Sequence, residues 1–348
     1  MKELPLLRTS ERGAFKRCPQ RWYWSFRMGL VPKGMPKQPL WFGTGVHLAM
    51  AEWYIPGRQR GRDPRETWAE YCKDAQMETV RISNDYDPDA QATYVDAREL
   101  GDAMFARYLD KYGDDTNWDV LAPEQVFAVV IEDPDYPGEG VVTYVGTFDG
   151  VYRNIKTGKL WLMEHKSASQ IDTGHLVLDD QAGSYVSVAN PLLRANGVID
   201  PNEQIGGIMY NFLAKRKPYV SAGGVDDEGR HLNKDGSVSK RQPRDTVLRE
   251  PIGRTRHEQN TQLGRIANEA IVMEPFRTGE LQMVKNPTRD CKWDCDFFEL
   301  CQVHETGGDV KDFTEQNFDV EDPYMDHRNG AKNTKESLAL MRELKGKG

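Results

Sequence analysis

The alternation of apolar and polar positions is clearest in the middle of the chain, over residues 141–166 (VVTYVGTFDGVYRNIKTGKLWLMEHK). Two runs rich in Val, Tyr, Phe and Leu flank the turn-forming residues 154–159, which include a Thr-Gly pair. Runs of this kind on either side of a short polar turn are typical of paired strands. The pattern therefore predicts a β-hairpin.

The register of this hairpin brings two carboxylates together. If its loop has four residues, Asn154 pairs with Lys159, and the same count places Asp149 opposite Glu164. Because strand side chains alternate between faces, Lys166 projects to the same side as Glu164. Directly opposed carboxylates lie roughly 5 Å apart and repel each other. The hairpin therefore needs a cation there, or one protonated carboxyl.

Helical and extended patterns flank the hairpin in both directions and indicate an α/β protein. We predict helices at 8–30, 41–55, 62–82, 94–113, 175–196 and 257–276, and strands at 124–131 and 204–214. The corresponding segments are an N-terminal segment (1–40), a helical region (41–120), a core (121–218), a polar insertion or loop (219–256), a C-terminal helix with a Cys triplet (257–303) and a peripheral tail (304–348).

Composition narrows the class of protein. A mean hydropathy of -0.70 and 29% charged residues, without an apolar run of spanning length, exclude a membrane protein. The first residues have no apolar signal core, which predicts a cytoplasmic location. The net charge of -8 argues against indiscriminate coating of nucleic acid but leaves room for a local basic groove.

The five cysteines indicate metal or cluster chemistry more than disulfides in a cytosolic chain. Cys291, Cys295 and Cys301 have the spacing C-x₃-C-x₅-C, which suits zinc or an iron–sulfur cluster. Either group needs a fourth ligand. Cys18 is the candidate, and Cys72 is then the one cysteine without a proposed ligand role. Such a ligand set would close the chain into a loop and tie its two ends together.

Two further patterns each have a structural and a functional interpretation. His47 lies in the first turns of an apolar helix, where a histidine is more often a packed core residue than a ligand. Gln181 and Tyr185 are four residues apart on one helical face, and for this pair alone a solvated Gln and a packing Tyr are the favoured interpretation.

Basic and aromatic side chains are interleaved near Cys18, and a basic cluster follows the strand at 204–214. This pattern fits an amphipathic helix that packs its aromatic residues inward. It also suits stacking and backbone contacts with a single DNA strand. The candidate DNA-binding residues are Arg17, Arg21, Trp22, Lys215, Arg216 and Lys217.

Together these motifs resemble the RecB-like branch of the PD-(D/E)XK nuclease superfamily, over about residues 10–301. Within it, the chain is similar to the iron–sulfur exonucleases related to AddB and to the CRISPR-associated fourth Cas protein, often found in phages. The motifs, in order, are Cys18-Pro19, Gly43-x-x-x-His47, Gly146-x-x-Asp149, Glu164-x-Lys166, Gln181-x-x-x-Tyr185 and the Cys triplet. The Glu-His-Lys-Ser sequence replaces the commoner Asp-x-Lys-Thr, and the first triplet spacing is x₃ where x₂ is commoner.

The resemblance implies a restriction-endonuclease-like core, with a mixed central sheet flanked by helices, a helical subdomain and an iron–sulfur region joining both ends. It also implies that His47, Asp149 and Glu164, with the backbone carbonyl of His165, hold Mg²⁺ or Mn²⁺. A His ligand favours Mn²⁺. Lys166 would position or activate the attacking water.

The remaining implied roles concern DNA and the cluster. Gln181 and Tyr185 would orient the DNA backbone. A 4Fe–4S cluster, with zinc as the weaker alternative, would have the ligands Cys18, Cys291, Cys295 and Cys301.

The function implied is that of a metal-dependent exonuclease on single-stranded DNA or DNA ends, with 5′-to-3′ polarity. Its expected partners belong to recombination or replication. Two other classes stay open at this point. One is a non-catalytic subunit that binds DNA ends on the same fold, and the other is a zinc-stapled structural phage protein.

Overall fold

The computed structural model describes residues 4–33, 38–83, 88–217, 221–242, 245–325 and 327. Parts of the predicted segments 1–40, 219–256 and 304–348 lie outside these residues. The strands are β1 (Leu6–Leu7), β2 (Leu30–Pro32), β3 (Trp118–Glu132), β4 (Gly140–Asn154), β5 (Leu160–Ala168), β6 (Ile205–Ala214), β7 (Val247–Gly253) and β8 (Phe318–Val320). The helices are α1 (Thr9–Arg17), α2 (Pro19–Trp22), α3 (Gln38–Trp53), α4 (Pro64–Ser83), α5 (Pro88–Tyr112), α6 (Asp180–Ala195), α7 (Arg256–Thr278), α8 (Cys291–Asp294), α9 (Phe298–Glu305) and α10 (Val310–Asn317).

Strand β4 pairs with three other strands of a six-stranded mixed sheet, as expected for the predicted α/β fold. Its first edge pairs antiparallel with β3 along nearly its whole length. Its second edge pairs with β1 up to Tyr144 and with β5 from Gly150 to Arg153. The intervening β4 residues, Asp149 among them, pair with neither strand. This unpaired stretch is the open edge of β4, and the candidate site lies there.

The predicted hairpin register is confirmed as far as the ladder extends. Asn154 N–H donates to Lys159 O at 2.9 Å, and Gly150 pairs with Met163. The turn is held by the Asn154 side chain, which accepts hydrogen bonds from two backbone N–H groups. Gly158 has a φ of 68°, the left-handed backbone region that glycine adopts without steric cost. Asp149 and Glu164 occupy the next position of this register.

Two helical layers cover the two faces of the sheet. Leu162 and Ile208 belong to a core cluster with α6 and α7. Met163 and Met209 alternate with them along β5 and β6 and belong to a second cluster with α3, α4 and α5. The alternation of apolar residues along each central strand explains why the sheet is buried on both sides. None of the helices in the described residues is long and apolar enough to cross a membrane.

The single helix predicted over residues 8–30 is interrupted at Cys18. Cys18 has an extended backbone (φ -166°, ψ 113°), and Pro19 then begins α2. Proline lacks the N–H that would continue α1, but it is tolerated at the first position of a new helix. The interruption turns the chain and places Cys18 between two helices.

The prediction of a polar loop over residues 219–256 is wrong at its end. Residues 247–253 form β7, which pairs antiparallel with β6 as the last strand of the sheet. Polar residues such as Arg249 obscured the strand pattern, because this last strand of the sheet is only partly buried and carries charged side chains.

The prediction of a peripheral tail is also wrong for the part that the structure describes. Residues 318–320 form β8, which pairs with β2. Phe318 is buried against Phe297, and the buried Tyr324 donates a hydrogen bond to Leu6 O. The described end of the chain therefore packs on its beginning.

Candidate active site

Helix α3 brings His47 to the open edge of β4. Its Nδ1 lies 3.1 Å from Asp149 Oδ1, across 102 positions in the sequence. The other carboxylate oxygen of Asp149 accepts a hydrogen bond from the backbone N–H of His165 at 2.7 Å. Asp149 therefore joins α3 to β5 at the point where β4 and β5 separate.

Glu164, Lys166 and Gln181 form a closed triangle on β5 and α6. Lys166 Nζ lies 2.6 Å from Glu164 Oε1 and donates to Gln181 Oε1 at 2.9 Å. Gln181 Nε2 donates to the same Glu164 oxygen at 3.0 Å. The ion pair confirms that Glu164 and Lys166 project to the same side. Gln181 is in place because the Asp179 side chain caps the first turn of α6.

The charges of the site are balanced in pairs. Burial lowers the pKa of His47, but the Asp149 carboxylate outweighs it and raises that pKa to about 9. Burial raises the pKa of Asp149, and His47 more than reverses this. Burial, only partly offset by Lys166, raises the pKa of Glu164 to about 7, and Asp149 adds to the rise. The predicted repulsion between the two carboxylates is thus present and is offset by two cations.

These donors match the chemistry of a divalent ion, because carboxylate oxygens suit Mg²⁺ and an added imidazole suits Mn²⁺. Among the residues that the structure describes, however, no three His, Cys, Asp or Glu side chains are placed to hold a metal ion together. His47 and Asp149 bind each other instead. They would have to separate to offer Nδ1 and Oδ1 to an ion.

The His165 side chain points away from this cluster. It is 2% exposed, its ring stacks on Tyr54, and Nδ1 accepts a hydrogen bond from Asn211. Burial lowers the pKa of His165 to about 3, so the imidazole is neutral. Its side chain is therefore not a candidate ligand, which leaves the backbone carbonyl that the sequence comparison implied.

Tyr185 contributes to the site mainly through packing. It is 8% exposed and meets the rings of Phe127 and Phe148 edge-on. A Cβ on Gly146 would lie 2.6 Å from the Phe127 ring and 3.1 Å from Tyr185. The glycine of the Gly-x-x-Asp motif is thus required for close packing beneath the site.

Glu124 is a neighbour of the site that the sequence patterns did not single out. The β3–β4 register, with Pro123 opposite Gly150 and Gln125 opposite Phe148, places it across from Asp149. Burial raises the pKa of Glu124, and the Asp149 carboxylate raises it further. Counting the register of the β3–β4 hairpin in the sequence could have revealed this residue.

The four predicted cluster cysteines line one cavity of about 490 Å³ between the two ends of the chain. Asn286 N–H donates to Cys18 Sγ at 3.5 Å, and Thr288 N–H donates to Cys291 Sγ at 3.3 Å. The bond from Thr288 lowers the pKa of Cys291. Arg17, Arg21 and Lys285 also line the cavity. The hydrogen bond from Thr288 therefore favours the thiolate form of Cys291.

The other two cluster cysteines and the spare one differ in environment. Burial raises the pKa of both Cys295 and Cys301. Cys72 is 2% exposed in the α3–α5 core, and burial raises its pKa to about 12. Cys72 is thus a packed core thiol, which agrees with leaving it out of the predicted ligand set.

The structure contradicts one of the predicted DNA contacts. Trp22 is 0% exposed, and its Nε1 donates to Glu11 at 2.8 Å, so it offers no face to a nucleobase. Arg17 and Arg21 both pair with Asp294. The amphipathic interpretation of this helix is correct for Trp22.

The basic cluster after β6 is engaged with other parts of the protein. Lys215 lies over the Phe42 ring at 5.0 Å, and Arg216 Nε donates to Ser169 O at 3.1 Å. Lys217 pairs with Glu99 at 3.0 Å. A DNA strand would have to compete with these contacts.

A scan against family models matches residues 10–302 to the PD-(D/E)XK nuclease superfamily. The match spans most of the chain, from α1 to the Cys triplet, and the chain belongs to this superfamily. No curated protein matches the chain significantly. Members of the superfamily are typically metal-dependent nucleases that use Mg²⁺ or Mn²⁺ and bind DNA.

Proposed function

We propose that the protein is a metal-dependent deoxyribonuclease whose chemistry takes place at the open edge of β4. The observation that carries this proposal is the Glu164–Lys166–Gln181 triangle beside the His47–Asp149 pair. Five polar side chains from α3, β4, β5 and α6 meet where the sheet opens. This is the arrangement expected of a hydrolytic site in a family of nucleases.

His47, Asp149 and Glu164, with the carbonyl of His165, are the proposed metal ligands. A bound Mg²⁺ or Mn²⁺ polarises the scissile phosphate and lowers the pKa of the attacking water. His47 must lose its proton and release Asp149 before it can serve as a ligand.

Lys166 has a second role in the proposed reaction. Its Nζ is held between Glu164 and Gln181, and so it can orient the water and stabilise charge on the phosphoryl oxygens. Gln181 and Tyr185 are the proposed contacts to the DNA backbone beside the site. Gln181 can exchange its bonds to the triangle for bonds to a phosphate.

The resemblance to the RecB-like branch supports a narrower proposal. The enzyme is then an exonuclease on single-stranded DNA or DNA ends with 5′-to-3′ polarity. It would work in the cytoplasm with recombination or replication partners. Arg17, Arg21, Lys215, Arg216 and Lys217 are the proposed backbone contacts, once released from their present partners.

We further propose that the cysteine cavity holds a 4Fe–4S cluster. All four thiols line one cavity, so a single group bound there can take all of them as ligands. The N–H donors to Cys18 and Cys291, like those that tune other clusters, support the assignment.

The function is tested with 5′- and 3′-labelled single- and double-stranded DNA and with circular single strands, in Mg²⁺ and in Mn²⁺. Glu164→Gln and Lys166→Met should each reduce metal-dependent cleavage at least about 10³-fold and keep the folded circular dichroism spectrum. Lys311→Met, a change at an exposed lysine paired with Glu315, is the matched control.

Wild-type rates in both site variants would disprove the assignment of the site. DNA binding without cleavage by the wild type would favour the non-catalytic subunit, and cleavage of circles would exclude a pure exonuclease. Iron and sulfide analysis, with a visible spectrum that bleaches on reduction, separates the cluster from zinc.

A further inference from the structure

A row of three polar side chains crosses the sheet directly behind the site. His165 on β5 pairs in register with Asn211 on β6, and Asn211 pairs in register with Arg249 on β7. Asn211 Nδ2 donates to His165 Nδ1 at 2.8 Å, and Arg249 Nε donates to Asn211 Oδ1 at 3.4 Å. Asn211 is 0% exposed. The row therefore links the last strand of the sheet to β5 through buried polar contacts.

At the β7 end of the row, Arg249 forms hydrogen bonds with residues of the helical layer. Its two terminal nitrogens donate to the Asp115 carboxylate at 3.0 and 2.5 Å. One of them also donates to Tyr54 Oη at 2.9 Å and to Tyr108 Oη at 2.7 Å, and the guanidinium lies 3.9 Å from the centre of the Tyr112 ring. All three guanidinium nitrogens of Arg249 have hydrogen-bond partners. Displacing such a group costs free energy, so we expect this contact to be rigid.

Both ends of the row lead to the same pair of site residues. Tyr54 directly follows α3, the helix that carries His47, and its ring stacks on His165 with centroids 5.8 Å apart. The backbone N–H of His165 holds Asp149 Oδ2, while His47 approaches the other oxygen. The separation of His47 and Asp149 thus depends on how α3 packs against β5. Arg249 contacts both sides of this packing, through Tyr54 after α3 and through Asn211 beside β5.

We propose that Arg249, acting through Asn211, His165 and Tyr54, is a positioning residue that sets the separation of the ligands His47 and Asp149. This inference rests on the proposed function, because it concerns the metal ligands of that site. Arg249 is not among the proposed metal ligands or DNA contacts. Its removal should weaken metal binding without removing any ligand.

The test measures the Mn²⁺ dissociation constant by titration calorimetry for the wild type, Arg249→Met and Asn211→Leu. Asn211→Leu is the milder change, because it cuts the row and leaves Arg249 with Asp115, Tyr54 and Tyr108. Loss of an outer-shell partner typically weakens metal affinity 10- to 100-fold. We therefore expect the constant to rise at least about tenfold in both variants, and excess Mn²⁺ to restore the nuclease turnover number.

The matched control is Arg277→Met, which removes a nearly buried arginine paired with Glu274 on α7. This variant should lower the unfolding temperature and leave the Mn²⁺ dissociation constant unchanged. If it does, a general loss of stability does not explain weaker Mn²⁺ binding in the other two variants. A wild-type constant in folded Asn211→Leu overturns the inference, even if Arg249→Met fails to fold. A wild type that binds no Mn²⁺ would contradict the proposed function itself. A wild type that binds Mn²⁺ no better than the variants do would contradict only the role of Arg249.

Discussion

The catalytic region and the cysteine cavity are organised in opposite ways. In the first, His47 pairs with Asp149, and Glu164, Lys166 and Gln181 bind one another, all through hydrogen bonds or ion pairs of 3.1 Å or less on strands and long helices. In the second, the four thiols lie around a cavity on α8, α9 and the break between α1 and α2. Two of them accept long hydrogen bonds from backbone N–H groups.

This difference indicates how far the stability of each region depends on a bound group. The catalytic groups are held by the sheet and by each other. The cysteine region consists largely of short helices, and its small core contains Trp24, Leu30, Phe297, Leu300 and Phe318. Its stability is therefore expected to depend on the group that its thiols bind.

The largest effect should come from Cys301→Ser, which removes one proposed cluster ligand. If the cluster is lost with this ligand, the link that it makes between Cys18 and Cys291 is lost as well. By the loop-closure argument that link is worth on the order of 5 kcal/mol, and the unfolding free energy should fall accordingly. Iron content and denaturant unfolding measure the effect, with Cys72→Ala as the thiol control that keeps its iron. Unchanged stability and metal content in Cys301→Ser would erase the contrast between the regions.

A smaller effect is expected from Gly146→Ala beneath the catalytic site. The new methyl group would meet the Phe127 ring at 2.6 Å, and overpacking of this kind costs about 1–3 kcal/mol. Gly264→Ala in α7, where a Cβ meets nothing within 4 Å, should instead stabilise by up to about 1 kcal/mol. Urea denaturation of both variants checks this, and equal stabilities would show that packing beneath the site is loose.

The smallest effect should be the pH dependence of Glu11, a buried carboxyl on α1 outside both regions. Burial raises its pKa above 4.5, although hydrogen bonds with Tyr324 and Trp22 oppose the rise. The folded protein therefore binds the proton more tightly than the unfolded chain. The stability that Glu11 contributes is complete below about pH 4.5 and is lost as the pH rises through its folded pKa.

Glu11→Gln stays neutral at every pH. Its unfolding free energy relative to the wild type should therefore be higher at pH 8 than at pH 4.5, as denaturant titrations at the two values would measure. A difference that does not change with pH would mean that Glu11 is no more protonated in the folded protein than in the unfolded chain.

Features that depend on neighbouring residues were predictable. The Asn154–Lys159 turn and the side shared by Glu164 and Lys166 follow from strand periodicity and turn chemistry. The interruption at Cys18-Pro19 follows from the missing proline N–H. These are local rules, and they hold in the folded protein.

Other features required the packed structure. Trp22 looked like a DNA-stacking residue because its neighbours are basic, yet its indole is buried on Glu11. Arg249 looked like part of a solvated loop, yet it is the centre of a buried network. In both cases tertiary contacts supplied partners from distant parts of the chain, and these decided whether a polar or amphipathic side chain faces water.

The sequence by itself determined the hairpin, its register and the order of the motifs, because strand alternation and turn geometry act over a few residues. The tertiary structure decided that His47 reaches Asp149 and that β7 completes the sheet. Those contacts join segments about one hundred residues or about forty residues apart. They form only when the burial of two apolar layers brings the helices and the sheet together.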